Sequence, residues 1–507
     1  MEGGGENVES FLKWACELGV SDSPSKQPSS CLCHSLCVSF FPDAGGRGLA
    51  AARDLRKGEL ILRVPKSALM TRERLMEDDE KLSFAVNKHR SLSSTQIFAV
   101  CLLYEMDKRK SSWWYPYLMQ LPRSYDTLAC LGHFETEALQ VDDAIWAAEK
   151  AASKAEISWI EAIPLMKELN LKNRTLALRA WVWASATISS RTLHIPWDDA
   201  GCLCPVGDLF NYAAPGEDAL DSEESFVTDR QSSWTNASSS LRNEETPEQY
   251  DVEQLDISFL RLTDGGYEDD VSAYCFYARE NYKKGEQVLL SYGTYTNLEL
   301  LEHYGFLLDK NPNDKAFIPL EPEVYSSCSW PKDSLYIHQN GKPSFALLAA
   351  LRLWLTPQNQ RRFVGHLIYS GSQLSAENEK IVMGWMVSSC KAVLMNFATS
   401  IEEDKLLVRK INRMEALGGM GELENALLTF EGEDRAFLEN RCLIKEESGV
   451  KLLEFRVIGR YMERWKLAVQ WRLRYKRILA DCITYCTDVI NKMDSDNGSA
   501  MRTSIRN

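Results

Sequence analysis

The chain has 507 residues with a formal net charge of -14, and 45% of them are hydrophobic and 26% charged. That length exceeds what one hydrophobic core supports and points to two or three domains, while the composition is that of an ordinary globular protein and excludes collagen-like, fibrous and wholly disordered classes. The negative balance argues against broad direct binding to nucleic acid and favours basic protein partners.

No run of eighteen apolar residues occurs, so neither a membrane-spanning helix nor a membrane partner is expected. The opening Met1-Glu2-Gly3-Gly4-Gly5-Glu6 lacks the basic region of a secretory leader and the Arg-rich character of a transit peptide. Fourteen scattered cysteines read as reduced thiols rather than a disulfide scaffold. The expected location is cytoplasmic or nuclear.

In chain order, Val8, Phe11, Leu12, Cys16 and Leu18 predict a first helix, followed by a polar loop from Ser21 to Ser30. Short strands at Val38–Phe41, Leu49–Ala52 and Leu60–Val64 are separated by Gly45-Gly46-Arg47-Gly48 and Lys57-Gly58-Glu59. From Glu73 to about Trp197 the pattern is helical, with Ser93 and Gln96 forming a capping box and Trp181–Ile188 forming a buried segment. Strand signals return at Val206–Leu209 and from Tyr274 to Tyr292. Between them, Gly216–Asp270 is rich in Asp, Glu, Ser and Asn and reads as a mobile acidic loop.

Amphipathic helices dominate from about Pro322 to Lys492, and an all-α domain is the simplest account. An internal echo links Leu55–Leu62 with Tyr282–Leu289, each reading as a glycine turn that opens a buried strand. The basic, aromatic stretch Trp465–Arg477, with Arg472, Arg474, Lys476 and Arg477, reads as a solvated helix face. The cysteines at 31, 33 and 37 with His34, and the pair Cys202 and Cys204, are too irregularly spaced for structural zinc, and no metal is expected.

Three segments carry the chemistry: Gly46-Arg47-Gly48-Leu49-Ala50-Ala51, Asp208-Leu209-Phe210-Asn211-Tyr212, and Gly285–Gly293 ending in Ser291-Tyr292-Gly293. In that order they resemble the SET-domain signature. With a helical insert between the first two and a helical domain after the last, the chain is similar to the Rubisco large-subunit methyltransferase class, and in particular to plant SET-domain-group proteins. The likeness extends through Trp114-Tyr115-Pro116-Tyr117, Ser190-Arg191 and His303-Tyr304-Gly305-Phe306 and spans roughly residues 36 to 480.

The resemblance implies an α+β fold. An N-terminal helix and loop would occupy residues 1–35 and a SET domain residues 36–310, with a helical insert over about 71–200 and the acidic loop over 216–270. A helical domain that docks the protein substrate would occupy 311–492, where the basic face at Trp465–Arg477 would help to position that substrate, and a flexible tail 493–507. It also implies S-adenosylmethionine as cofactor. Gly46, Arg47 and Gly48 would meet the cofactor through main chain, as a glycine turn permits; a plain β-turn is the alternative.

By the same resemblance Arg191 would lie near the cofactor carboxylate and Glu73 would approach the cofactor, whereas without it they read as helix-terminal and first-turn residues. Asn211 can donate and accept at once, which suits the cofactor amine. Tyr212 stands where the family pattern has histidine, a change that a position acting through its backbone tolerates.

Tyr292 is the expected catalytic residue and a cofactor contact. Methyl transfer from a sulfonium needs in-line positioning and desolvation rather than a metal, and a phenol there can orient a neutral amine. Tyr304 and Phe306 would line the channel for the acceptor side chain. Leu193 stands where the histidine-methylating relative of this class has an amide, and leucine cannot hydrogen-bond imidazole, so lysine is the expected nucleophile. The cysteine-rich tail common in histone-directed branches does not follow Tyr292, which points to a non-histone substrate. Histidine methylation, and a non-catalytic SET scaffold acting as an interaction platform, are the alternatives.

Overall fold

The computed structural model describes residues 5–23, 30–41, 46–214, 265–417, 422, 431–446 and 449–504. The first helix, Gly5–Glu17, buries Phe11 and Ala15 on one face. Strands β1 (Leu36–Phe41), β2 (Gly46–Ala51) and β3 (Leu60–Pro65) follow where the glycine turns separate the apolar runs. After the helical insert come β4 (Thr192–Ile195), β5 (Asp198–Leu203), β6 (Asn211–Tyr212), β7 (Gly265–Glu268), β8 (Ala273–Tyr277) and β9 (Leu289–Leu290).

The strands make small ladders rather than one sheet: β1 with β2, β4 with β5, β6 with β9, and a three-stranded sheet in the order β3-β8-β7. The two echo segments lie side by side. Leu55 and Tyr282 exchange backbone hydrogen bonds at 2.9 and 3.0 Å. Their turns close through Gly58 and Gly285, at φ +79° and +89°, a region that only glycine enters without steric cost.

Within the insert, Ser93 and Gln96 form the capping box at the start of the Ser94–Lys108 helix. The Leu178–Arg191 helix buries Trp181, Ala184 and Ile188 in the first core, which it shares with the Ser94–Lys108 helix and the strands. A second core gathers under the C-terminal helices Phe345–Trp354, Ala376–Asn396, Ile401–Glu415 and Phe455–Ser504. It also takes in Leu128, Leu131, Leu139, Ala144 and Ala148 from the insert, so packing does not follow the division of the chain near residue 310.

Several expectations need correction. The strand signal at Val206–Leu209 is a tight 3-10 turn over Gly207–Leu209, entered through buried Val206 at φ +71°, a conformation that costs a β-branched residue steric strain. The run from Tyr274 to Tyr292 is extended only at β8 and β9. The all-α region carries two short antiparallel ladders, β10 (Lys315–Ala316) with β11 (Ile337–His338) and β12 (Leu443–Glu446) with β13 (Gly449–Leu452), and its last helix runs to Ser504 through the expected tail. Most of the acidic segment, residues 215–264, lies outside the described residues, but Gly265–Glu268 is strand β7.

The last correction concerns the basic stretch. Arg472 and Lys476 point inward and are 0% and 1% exposed. Both converge on buried Asp404: Arg472 Nη2 donates to its Oδ1 at 2.7 Å and Lys476 Nζ to its Oδ2 at 2.6 Å. Arg472 also pairs with Glu433 and donates to the Ala138 carbonyl, joining three parts of the second core. Buried charge survives here because every one of these donors is matched.

Candidate active site

The three motif segments meet on the strand network. Val288 N–H donates to the Leu49 carbonyl at 2.9 Å and Gly285 N–H to the Ala51 carbonyl at 2.8 Å, so the third segment runs against the first. β6 lies parallel to β9, with Asn211 opposite Leu289 and Tyr212 opposite Leu290. So short a parallel pairing is weak alone, and side chains reinforce it. The Tyr292 hydroxyl donates to the Phe210 carbonyl, and the Tyr212 hydroxyl donates to the Gly293 carbonyl at 2.8 Å. Tyr292 therefore stands beside Asn211 and Tyr212.

Around it is a group of aromatic rings. Tyr292 lies 5.3 Å from Tyr212 and 5.4 Å from Tyr304 between centroids; Phe306 is 6.0 Å from Tyr304 and 6.1 Å from Tyr212. Tyr295, which no motif marks, joins at 5.5 Å from Tyr304. Burial pushes the Tyr292 and Tyr304 phenols well above the usual range, and pushes Tyr212 up to about 12. All three are neutral phenols at physiological pH, so none of them is a resident base.

A charged group adjoins the rings. Arg191 Nη1 donates to the Asp208 carbonyl at 2.9 Å and to its Oδ2 at 3.2 Å, and Nε donates to the Tyr125 hydroxyl at 3.2 Å. Tyr117 donates to the same Asp208 oxygen at 3.0 Å. Burial works against the Arg191 charge, but Asp208 together with the Tyr125 and Tyr117 oxygens more than compensates and holds its pKa above the ordinary value. Arg47 donates twice to Gln120, each at 2.7 Å; burial lowers its pKa and the field of Asp208 opposes that. Asp208 thus faces two guanidiniums. It is part of the middle motif, and only the fold shows that its side chain holds Arg191.

Two predicted residues sit differently. Glu73 is exposed in the first turn of the short helix Arg72–Glu77 and lines a cavity of about 430 Å³ with Arg72, Arg90, Trp197 and Asp198. No other predicted site residue lines that cavity. Leu193 lies on β4 opposite Cys202, partly buried against the strand core.

Residues 46–293 match the model of the SET domain, and residues 326–479 match that of the Rubisco LSMT substrate-binding domain. Protein SET DOMAIN GROUP 40 of Arabidopsis thaliana is 55% identical over 495 residues, which cover 96% of this chain and 97% of that protein. The chain belongs to the SET-domain family. This SET-domain protein is accordingly a methyltransferase of the Rubisco LSMT class, with S-adenosylmethionine as methyl donor and protein as acceptor.

An actin-histidine N-methyltransferase of Rhinolophus ferrumequinum is 25% identical over 432 residues, covering 79% of the SET-domain protein but only 63% of that relative. Among solved structures, Rubisco LSMT bound to AdoMet aligns at TM-score 0.52 and 18% identity, and the SET domain of LSMT bound to lysine and AdoHcy at 0.54 and 18%; each covers 96% of this chain and 93% of the other. At that identity the likeness is one of fold.

The residues present fit such a cofactor. A Cβ placed on Gly48 would lie 2.6 Å from Asn211 Nδ2 and 3.1 Å from Gln287 Nε2, so only glycine here lets those two amides close on the main chain of the first motif and form a polar cradle.

Proposed function

We propose that this chain methylates a lysine side chain of a non-histone protein. The observation that carries the proposal is the cluster of neutral rings, Tyr212, Tyr292, Tyr304 and Phe306, immediately beside Asn211 and the Gly48 cradle. Gly46, Arg47 and Gly48 would approach the cofactor with main chain and Asn211 with its side-chain amide. Arg47 and Arg191 face one Asp208, which leaves a net positive charge suited to the cofactor carboxylate. Bound S-adenosylmethionine supplies an electrophilic methyl group on a sulfonium.

The chain's own residues then act by placement. The aromatic walls desolvate the incoming ammonium and favour loss of its proton to solvent. Tyr292, anchored on the Phe210 carbonyl, presents a phenol oxygen that orients the neutral amine. Leu193, two residues past Arg191, offers no hydrogen bond to an imidazole. The second reading, histidine as acceptor, is favoured by the histidine-methylating relatives and disfavoured by Leu193. Glu73, exposed at its own cavity, is the weakest of the proposed cofactor contacts. The free cysteines suit a reducing cytoplasmic or nuclear setting.

The test is mass spectrometry of cell-extract proteins incubated with labelled cofactor and either wild-type protein or Tyr292→Phe. Transfer to lysine should fall on the order of a hundredfold in the variant. Identical patterns from both proteins would remove Tyr292 from the chemistry, and modified histidine alone would select the second reading. A chain with no detectable cofactor binding by calorimetry would be a non-catalytic scaffold instead.

A further inference from the structure

A cleft of about 410 Å³ opens between the helical insert and the start of the long C-terminal helix. Its apolar wall includes Val182, Trp183 and Val457, and the Trp183 indole is fixed by donating to the Pro122 carbonyl at 2.8 Å. Four arginines line it, in a chain whose net charge is -14. Arg464 is committed to the floor: it donates to Asp126 Oδ1 and the Cys130 carbonyl at 2.8 Å, and to the Tyr125 carbonyl at 3.2 Å. Arg123 and Arg179 are exposed and Arg460 is half-buried, and none of the three has a carboxylate partner among the described residues. Three unneutralised guanidiniums beside an indole and two valines make a surface whose complement is both anionic and apolar.

The cleft adjoins the active site through one shared residue. Tyr125 lines it, and its hydroxyl accepts from Arg191 Nε at 3.2 Å. Val182 and Trp183 lie on the same helix as Arg191, nine and eight residues earlier, or about 12 to 14 Å along its axis.

We propose that this cleft seats an acidic stretch of the substrate protein, with carboxylates interleaved among apolar side chains, next to the residue that receives the methyl group. The proposal rests on the protein-acceptor reading above and gives that substrate a chemistry. An extended peptide rises about 3.3 Å per residue, so the seated carboxylates fall about four residues from the modified position. The three arginines therefore determine specificity without touching the reacting atoms.

Fluorescence anisotropy on the full-length chain tests this with a labelled peptide of alternating Glu and Leu and a counterpart in which Gln replaces every Glu. The Glu peptide is expected to bind about tenfold tighter, with a preference that shrinks as salt is raised. In Arg123→Glu with Arg460→Glu the preference should vanish, while S-adenosylhomocysteine affinity and the thermal midpoint stay at wild-type values. Arg123→Gln with Arg460→Gln serves if the charge reversal impairs folding. Equal binding of the two peptides, a preference that survives both double variants, or an oligonucleotide of matched charge binding as tightly as the Glu peptide would each overturn the proposal. Because binding is read without methyl transfer, a chain that holds the Glu peptide yet methylates nothing defeats the lysine reading alone, and one that methylates yet ignores peptide charge defeats the cleft alone.

Discussion

Gly48→Ala tests the cofactor cradle most directly. The new Cβ would lie 2.6 Å from Asn211 Nδ2, 3.1 Å from Gln287 Nε2 and 3.4 Å from Phe41 Cδ2. Ordinary contact needs about 3.5 Å, so the Asn211 amide must retreat by roughly 1 Å. Its backbone cannot follow, being paired with Leu289, so the side chain has to rotate out of place. A hydrogen bond from that amide to a charged ligand is worth about 2 kcal/mol, and its loss raises Kd about 30-fold.

Gly58→Ala is the control. Gly58 has φ +79° and nothing within 4 Å of an added Cβ, so alanine there meets backbone strain of about 1 kcal/mol and no clash. Its thermal midpoint should fall by about 1 to 2 °C with cofactor affinity unchanged. Gly48 lies outside the left-handed region, so its alanine meets no backbone strain, and its effect comes from the clash with the Asn211 amide. Calorimetric titration with S-adenosylhomocysteine and a thermal melt separate the two effects. Wild-type affinity in Gly48→Ala would refute the cradle, and equal loss in both variants would show that the damage is not local.

Leu193→Asn should shift the modified residue from lysine toward histidine, read by mass spectrometry of the same extract; an unchanged preference removes Leu193 from acceptor choice. Arg472→Ala leaves Asp404 and Glu433 without their shared partner in the second core and should cost about 3 to 5 kcal/mol, seen as a large fall in the denaturation midpoint. The raised phenols give a sign for pH. Tyr212, Tyr292 and Tyr304 hold their protons more tightly when folded, so their contribution to stability is fully present below about pH 10, the usual tyrosine value, and is lost as pH rises through the folded values, about 12 for Tyr212. Alkaline unfolding followed by phenolate absorbance checks it, and phenolate appearing from these rings below pH 9 would contradict it.

Local signals in the sequence were legible where one residue type dictates one backbone feature. Glycine turns at Gly58 and Gly285 mark the starts of the paired segments, and Ser93 with Gln96 marks a helix start, because each satisfies a backbone need within a few residues. The middle motif is harder. The apolar residues Val206, Leu209 and Phe210 look like a strand, yet the chain must double back there so that Asp208 meets Arg191 and the Phe210 carbonyl meets Tyr292. That tertiary demand overrides local preference. Tyr295 and Tyr125 are ordinary tyrosines until folding sets one in the ring cluster and the other against Arg191.

The basic C-terminal helix shows the limit most clearly. Arg472, Arg474, Lys476 and Arg477 form one charged run in sequence, but they are not one surface in space. Arg472 and Lys476, four apart, share the face turned inward onto Asp404, whereas Arg474 pairs with exposed Asp309. The residue that neutralises this face lies some seventy positions away, so no window on the helix could reveal it. The free positive charge near the active site is found instead at Arg123, Arg179 and Arg460, which are dispersed over the chain and gathered only by the fold. If charge guides the substrate, reversing Arg474 should leave the preference for the Glu peptide intact while reversing Arg123 and Arg460 abolishes it. A preference that follows Arg474 would place the docking surface on the basic helix after all.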